Sequence, residues 1–281
     1  MIVWLNGKLA EETDAHIATT DRGFLLGDGI FETLLVRNGK PVFLDAHCKR
    51  LTRGATALGF TSPLDATAML EAIATLLDAN KLSDIPRAAL RITLTRGSAP
   101  RGLAPPKDPS PTMLIACFAS SEPAQSASVI TSSVLRNEHS PSANLKALPY
   151  LDQIFAKREA LTAGADDALL LNTSGKLVCA SAANLFLWDS NTLITPPIKD
   201  GCLDGITRRT VIALAEENNV DCYEESITPS TLASVHSGFL TNALVGLQSF
   251  SSVDGRALAE HQLMQKLRDA LNQAELNSLS H

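Results

Sequence analysis

The stretch IFETLLVRNGKPVFLDAHCKRL, residues 30–51, carries the pattern on which the fold turns. An apolar run ends at Asn38-Gly39, a two-residue hairpin signal, and a second apolar run follows at once. The apolar spacing then lengthens, and residues 45–59 and 64–80 read as helices. The opening MIVWLNGKL repeats the hairpin signal at Asn6-Gly7. Further on, AALRITLTRG and PTMLIACFA are rich in strand formers and bracket SAPRGLAPPKDPS, residues 98–110. Four prolines and a glycine make that loop a stiff excursion.

Residues 120–128, SSEPAQSAS, are small and polar and read as a linker. Beyond them come a strand (VITSSVLR), a helix over 149–164 and three short strands in DDALLLNTSGKLVCASAANLFLWD. A helix over 205–218, a strand and loop in SGFLTNALVGLQSF, and a helix over 257–276 complete the chain. Strands and helices mix without regular βαβ alternation, which predicts α+β with two subdomains. The expected division is 1–119, a linker at 120–128, and 129–281. No G-x-G-x-x-G follows a strand, so a dinucleotide fold has no support.

The 281 residues carry a net charge of −6, which argues against a nucleic-acid partner. No polybasic run suits a membrane surface, and no apolar segment is long enough to span one. Cys48, Cys117, Cys179, Cys202 and Cys222 show no paired spacing. That fits free thiols in a reducing, cytoplasmic setting and gives no zinc pattern. The N-terminus has no basic start before an apolar run, so it does not read as a signal peptide.

One lysine stands out in SANLKALPYLDQIFAKREA, residues 142–160. Lys146 lies between apolar residues, directly before a helix start at Pro149. A surface ammonium is the ordinary reading of any lysine. A desolvated one would have a lowered pKa, as an amine nucleophile needs. Gly205-Ile206-Thr207 opens a helix, where free N–H groups and a hydroxyl can seat a phosphate; an ordinary glycine-led helix start reads the same. Arg50 lies on a helix and can grip a phosphate by a fork of two hydrogen bonds, or simply face solvent. TNALVG, residues 241–246, is a second small-polar turn or a plain loop.

In order and spacing, several motifs together resemble the class IV pyridoxal-phosphate aminotransferases. These are DRGFLLGDGIFET (21–33), H-x-x-R-L (47–51), the lysine segment, SAANLFLW (181–188), G-I-T-R (205–208) and T-N-A-L (241–244). That family includes branched-chain and D-amino-acid aminotransferases and aminodeoxychorismate lyases, and the resemblance runs from about residue 3 to 255. It implies fold type IV, with a small N-terminal α/β domain and a larger, mixed, β-barrel-like C-terminal domain. It implies pyridoxal 5′-phosphate joined as an imine to Lys146, which then serves as base and acid at the substrate α-carbon. Arg50, Ile206 and Thr207 would hold the phosphate, with Asn242 and Ala243 nearby. Where the family often has a hydroxyl residue this chain has Ala243, so a contact there would come from its backbone.

A second departure is sharper. The family's glutamate against the pyridine nitrogen aligns with Cys179, whose thiol at an ordinary pKa of about 8.5 is mostly neutral. Another group or a thiolate would pair with the ring, or the electron sink is weaker; plain packing of Cys179 is the alternative. For the substrate, the resemblance points to Phe31, Thr33, Arg91 and Arg101, where an arginine can fork a carboxylate. Leu103 stands where the lyases have tyrosine, whereas Asn242-Ala243-Leu244 leans towards them. The expected activity is transfer of an amino group between a branched-chain or D-type amino acid and a 2-oxo acid, in a homodimer. The alternatives are lysis of 4-amino-4-deoxychorismate to 4-aminobenzoate and pyruvate, and a cofactor-free binding relative.

Overall fold

A computed structural model describes residues 1–62 and 65–280 of the chain. The predicted helix 64–80 begins, and the predicted C-terminal domain ends, on residues outside those described. The chain divides into two compact units. The first comprises Met1–Glu122, Leu145–Pro149 and Glu275–His281; the second comprises Pro123–Asn144 and Tyr150–Ala274.

The first unit contains β1 (Ile2–Leu5), β2 (Lys8–Glu11), α1 (Arg22–Leu26), β3 (Gly29–Arg37), β4 (Lys40–Pro41), α2 (Leu44–Ala57), α3 (Ala66–Ala79), β5 (Arg87–Thr95) and β6 (Thr112–Ala119). Its strands form one antiparallel sheet in the order β2-β1-β6-β5-β3-β4. The Asn38-Gly39 hairpin turn forms as its composition predicts, with both residues in the left-handed region. Helix α3 buries Met69, Ala72, Ile73, Leu76 and Leu77, a single helical stripe, and starts with Asp65 accepting the Ala68 N–H at 2.9 Å. This stripe packs with Leu34, Leu90, Ile92, Leu94 and Ile115 from alternate strand positions. The intervening positions, among them Phe31, Thr33, Arg91 and Thr93, therefore lie on the opposite face of the sheet.

In the second unit are β7 (Ser126–Arg136), α4 (Leu151–Thr162), β8 (Asp167–Asn172), β9 (Leu177–Ala180), β10 (Asn184–Asp189), β11 (Thr192–Thr195), α5 (Ile206–Glu217), β12 (Cys222–Glu224), α6 (Pro229–Ser234), β13 (Ser237–Asn242), β14 (Gly246–Val253) and β15 (Arg256–Ala257). Helix α7 (Met264–Asn277) follows, and its last residues belong to the first unit. The sheet is mixed, ordered β12-β11-β10-β13-β14-β7-β8-β9, with β15 against β14. Parallel pairs join β7 to β8 and β14, while β8–β9 and β10–β13 are antiparallel. β9 is buried at every position and β10 at all but its last, which is why both read as continuous apolar runs.

Several elements differ from expectation for local reasons. Helix α1 is one turn, too short for a period, and is held by Asp21 accepting from Gly23 and Phe24 N–H. Helix α7 starts at Met264 rather than 257, because Arg256–Ala257 pair with β14. Residues 126–128 of the small-polar segment lie in β7. No helix among the described residues is long and apolar enough to cross a membrane.

Candidate active site

In the first unit, the lysine segment is an isolated strand partner of β3. The Phe31 N–H donates to the Lys146 carbonyl at 2.9 Å, and the Leu148 N–H donates to the Gly29 carbonyl at 3.0 Å. This approach needs a glycine: a Cβ on Gly29 would lie 2.6 Å from the Leu94 carbonyl oxygen and 2.7 Å from a Leu148 methyl. The backbone of Lys146 is thus fixed without use of its side chain. Its Nζ sits 4.4 Å from the Phe31 ring centroid and makes neither hydrogen bond nor ion pair among the described residues. Burial lowers its pKa to about 8; Glu32 pulls the other way, and Arg50 and Arg91 push it down further.

Behind β3, Glu32 binds two residues of α2. Its Oε1 accepts from Arg50 Nε and its Oε2 from Arg50 Nη2, each at 2.7 Å, and Oε2 also lies 2.7 Å from His47 Nδ1. Glu32 is 1% exposed and His47 2%. Burial opposes the charge on Glu32, but the bonds from Arg50 and His47 outweigh it and hold the carboxyl at about 2. Burial lowers the His47 pKa, so its imidazole is neutral near pH 7. The Arg50 guanidinium is therefore fixed through one edge by a carboxylate. Nothing in the sequence marks Glu32 or His47, although both stand inside the motifs quoted above; a lone acid two residues before an apolar run carries no local signal of its partner.

On the other face, Thr33 pairs with Arg91 and Phe31 with Thr93 across β3 and β5. The Arg91 guanidinium carbon lies 3.8 Å from the Phe31 ring centroid, and its Nε donates to Thr93 Oγ1 at 3.2 Å. Arg91 and Lys146 are thus two cations over one aromatic ring. Arg91 also borders a cavity of about 300 Å³ lined by Val3, Leu5, Ile17, Leu114 and Phe118. The structure brings Phe31, Thr33, Arg91 and Lys146 together. Arg101 is exposed on its loop and joins none of them. The loop is anchored instead by Arg22, which donates to the carbonyls of Gly102, Leu103 and Ala104.

In the second unit, α5 begins at Gly205 with no side-chain cap. The N–H groups of Ile206, Thr207 and Arg208 and the Thr207 hydroxyl have no acceptor or donor among the described residues. Asn184 braces this end by donating to the Leu203 carbonyl at 2.8 Å, and its Oδ1 lies 2.1 Å from where a Gly205 Cβ would be. Gly205→Ala is expected to destabilise by about 1–3 kcal/mol, the usual cost of overpacking, checked by denaturant titration without added ligand. Asn242 holds the turn that follows β13. Its Oδ1 accepts from Leu244 and Val245 N–H at 2.8 and 2.9 Å, so it shapes the turn around Ala243. The Ala243 N–H has no acceptor among the described residues. Cys179 is buried in β9 among Ala156, Ala160, Ala168, Leu170 and Cys202, and burial pushes its thiol up, so it is neutral at pH 7.

In the first unit a desolvated amine lies beside an arginine, as an amine nucleophile for an aldehyde requires; in the second, a bare helix start can take an anion. Comparison with known proteins identifies the class. A Thermoproteus uzoniensis branched-chain aminotransferase structure with norvaline superposes with TM-score 0.90 and 28% identity, covering 99% of this chain and 95% of that one. The architecture is that of a fold-type IV pyridoxal-phosphate enzyme, with a small α/β domain and a larger mixed, barrel-like domain. The chain belongs to the amino-transferase class IV family, whose sequence model matches residues 29–253. A Methanocaldococcus jannaschii protein assigned as a branched-chain-amino-acid aminotransferase is 34% identical over 94% of this chain and 91% of its own length. The aminodeoxychorismate lyase of Bacillus subtilis is 28% identical over 94% of each. Membership makes pyridoxal 5′-phosphate the cofactor and the chain an enzyme.

Proposed function

We propose that the chain transfers an amino group between an amino acid, branched-chain or D-type, and a 2-oxo acid. The observation that carries this is Lys146: an amine with its backbone fixed, its ammonium over the Phe31 ring with no hydrogen bond or ion pair among the described residues, and its pKa lowered to about 8. At neutral pH a useful fraction of it is unprotonated, as a nucleophile and general base need. From the first unit, Lys146 would hold the cofactor and Arg50 its phosphate. From the second, the Ile206 and Thr207 N–H groups, the Thr207 hydroxyl and the Ala243 N–H would serve the phosphate, and Asn242 would shape the turn. Bound pyridoxal phosphate supplies an electron sink for the substrate α-carbon. Lys146 Nζ takes the α-proton and returns it, while Arg91 orients a carboxylate and Phe31 and Thr33 line the face that receives the substrate.

Cys179 would face the ring nitrogen as a neutral group, leaving the sink weak. Cys179→Glu is expected to retain cofactor binding and to raise the rate of the first half-reaction severalfold, read by single-turnover spectroscopy. Equal rates would remove Cys179 from the site.

The Bacillus subtilis relative supports the lyase as second reading, together with Asn242-Ala243-Leu244. A paired assay decides. An amino donor with 2-oxoglutarate should yield glutamate, and aminodeoxychorismate should yield no 4-aminobenzoate; the reverse result establishes the lyase. We also propose a homodimer, supported by the exposed Phe24, Leu25 and Leu26 of α1, at 75%, 56% and 46%. Sedimentation should give twice the 29.9 kDa chain mass, and a monomer contradicts this. Five free cysteines support a cytoplasmic setting, and 120–128, whose last three residues lie in β7, is proposed as the interdomain linker.

A further inference from the structure

Glu32 is a buried carboxylate with a partner on each oxygen, in a place where an apolar residue would pack at no desolvation cost. A buried ion pair is weak evidence of a need for stability, so its retention asks for another reason. Its neighbours give one. Glu32 follows Phe31, the residue whose N–H holds the Lys146 carbonyl and whose ring lies under Lys146 Nζ. On the α2 side it occupies both Nε and Nη2 of Arg50, which is 11% exposed at its side chain, so the planar guanidinium has one orientation. His47 Nδ1 stands against the same carboxylate and leaves it no second position. Around Lys146 the charged groups acting on the amine are Arg50 from α2, Arg91 from β5 and Glu32 from β3, and Glu32 is the sole anion among them.

We propose that Glu32 is a positioning residue of the active site: it orients Arg50 for a phosphate monoester and offsets the positive charge around Lys146, with His47 as its brace. The part concerning phosphate rests on the proposed cofactor role of Arg50; the part concerning Lys146 does not. Without Glu32 two arginines would act on the amine unopposed, and Arg50 would lose the two bonds that set the plane of its guanidinium. The carboxylate thus couples anion binding on one residue to basicity on another.

The test uses Glu32→Gln, which keeps the shape and removes the charge, and Glu32→Asp, which keeps the charge and shortens the reach. In cofactor-free protein, reductive methylation by formaldehyde and cyanoborohydride, followed by peptide mass spectrometry, gives the pH midpoint for reaction at Lys146. The midpoint should fall by about one unit in Glu32→Gln, because a neighbouring anion is lost, and by less in Glu32→Asp. Separately, the dissociation constant for pyridoxal phosphate should rise tenfold or more in both variants, while that for unphosphorylated pyridoxal changes less than twofold. Wild-type midpoint and wild-type affinity in Glu32→Gln overturn the proposal. Should Glu32→Gln not fold, unchanged pyridoxal-phosphate affinity in Glu32→Asp overturns it by itself. Wild-type protein that binds no pyridoxal phosphate sinks the cofactor reading instead, and the methylation midpoints still judge the charge role of Glu32.

Discussion

Lys146→Ala should cut amino-group transfer by at least about 10²–10⁴-fold, the range of a lost acid–base group, and should also make the cofactor-free protein more stable at pH 7. The two effects have one cause. The segment is fixed by backbone bonds to Gly29 and Phe31, which alanine keeps. The lysine side chain is held where its ammonium is disfavoured, with a pKa near 8 against an ordinary value of 10.5. Its protonated form therefore costs roughly 3 kcal/mol at most below pH 8, at about 1.36 kcal/mol per unit. The sign follows from proton counts. Between pH 8 and 10.5 the unfolded chain holds this proton and the folded one does not, so wild-type stability rises across that interval. The gain from alanine should be full below pH 8 and gone by about 10.5. Urea titrations at pH 7 and 10.5 measure it, and a variant less stable than wild type at pH 7 contradicts the assigned strain.

Arg50→Ala should have the opposite effect on stability. It removes both bonds to Glu32 and leaves a carboxylate 1% exposed without its cation. Breaking a buried pair this way costs about 3–5 kcal/mol. In the wild type the Glu32 carboxyl stays at about 2, below its ordinary 4.5. The stability this contributes, on the order of 3 kcal/mol, is present above pH 4.5 and is lost as pH falls towards 2. The variant lacks the depression, so its deficit at pH 7 should shrink on going to pH 3. An equal deficit at both pH values would show that Glu32 does not depend on Arg50.

What the sequence revealed, and what it hid, follows from range. The Asn38-Gly39 hairpin, the stripe of α3 and the glycine-led start of α5 were legible because neighbours in sequence determine them. Lys146 was legible as an isolated cation in apolar company. Its anchoring on β3, more than a hundred residues earlier, was not, since nothing local records which strand edge takes a segment. The Glu32–Arg50 pair was hidden for the same reason, and Arg50 alone looked like an open anion grip. Asn242 was legible as a turn residue, but the bonds by which its Oδ1 accepts from the Leu244 and Val245 N–H groups were not. The helix expected from 257 failed on Arg256–Ala257, where strand pairing overrides helical spacing.

The central claim is that the amine at position 146 bonds to the cofactor aldehyde. Wild-type protein should be incubated with pyridoxal phosphate, reduced with borohydride, digested and mapped by mass spectrometry. The predicted result is one stoichiometric phosphopyridoxyl modification on the peptide containing Lys146, absent from Lys146→Ala. Label spread over several surface lysines, or a single label on another residue, would contradict the account.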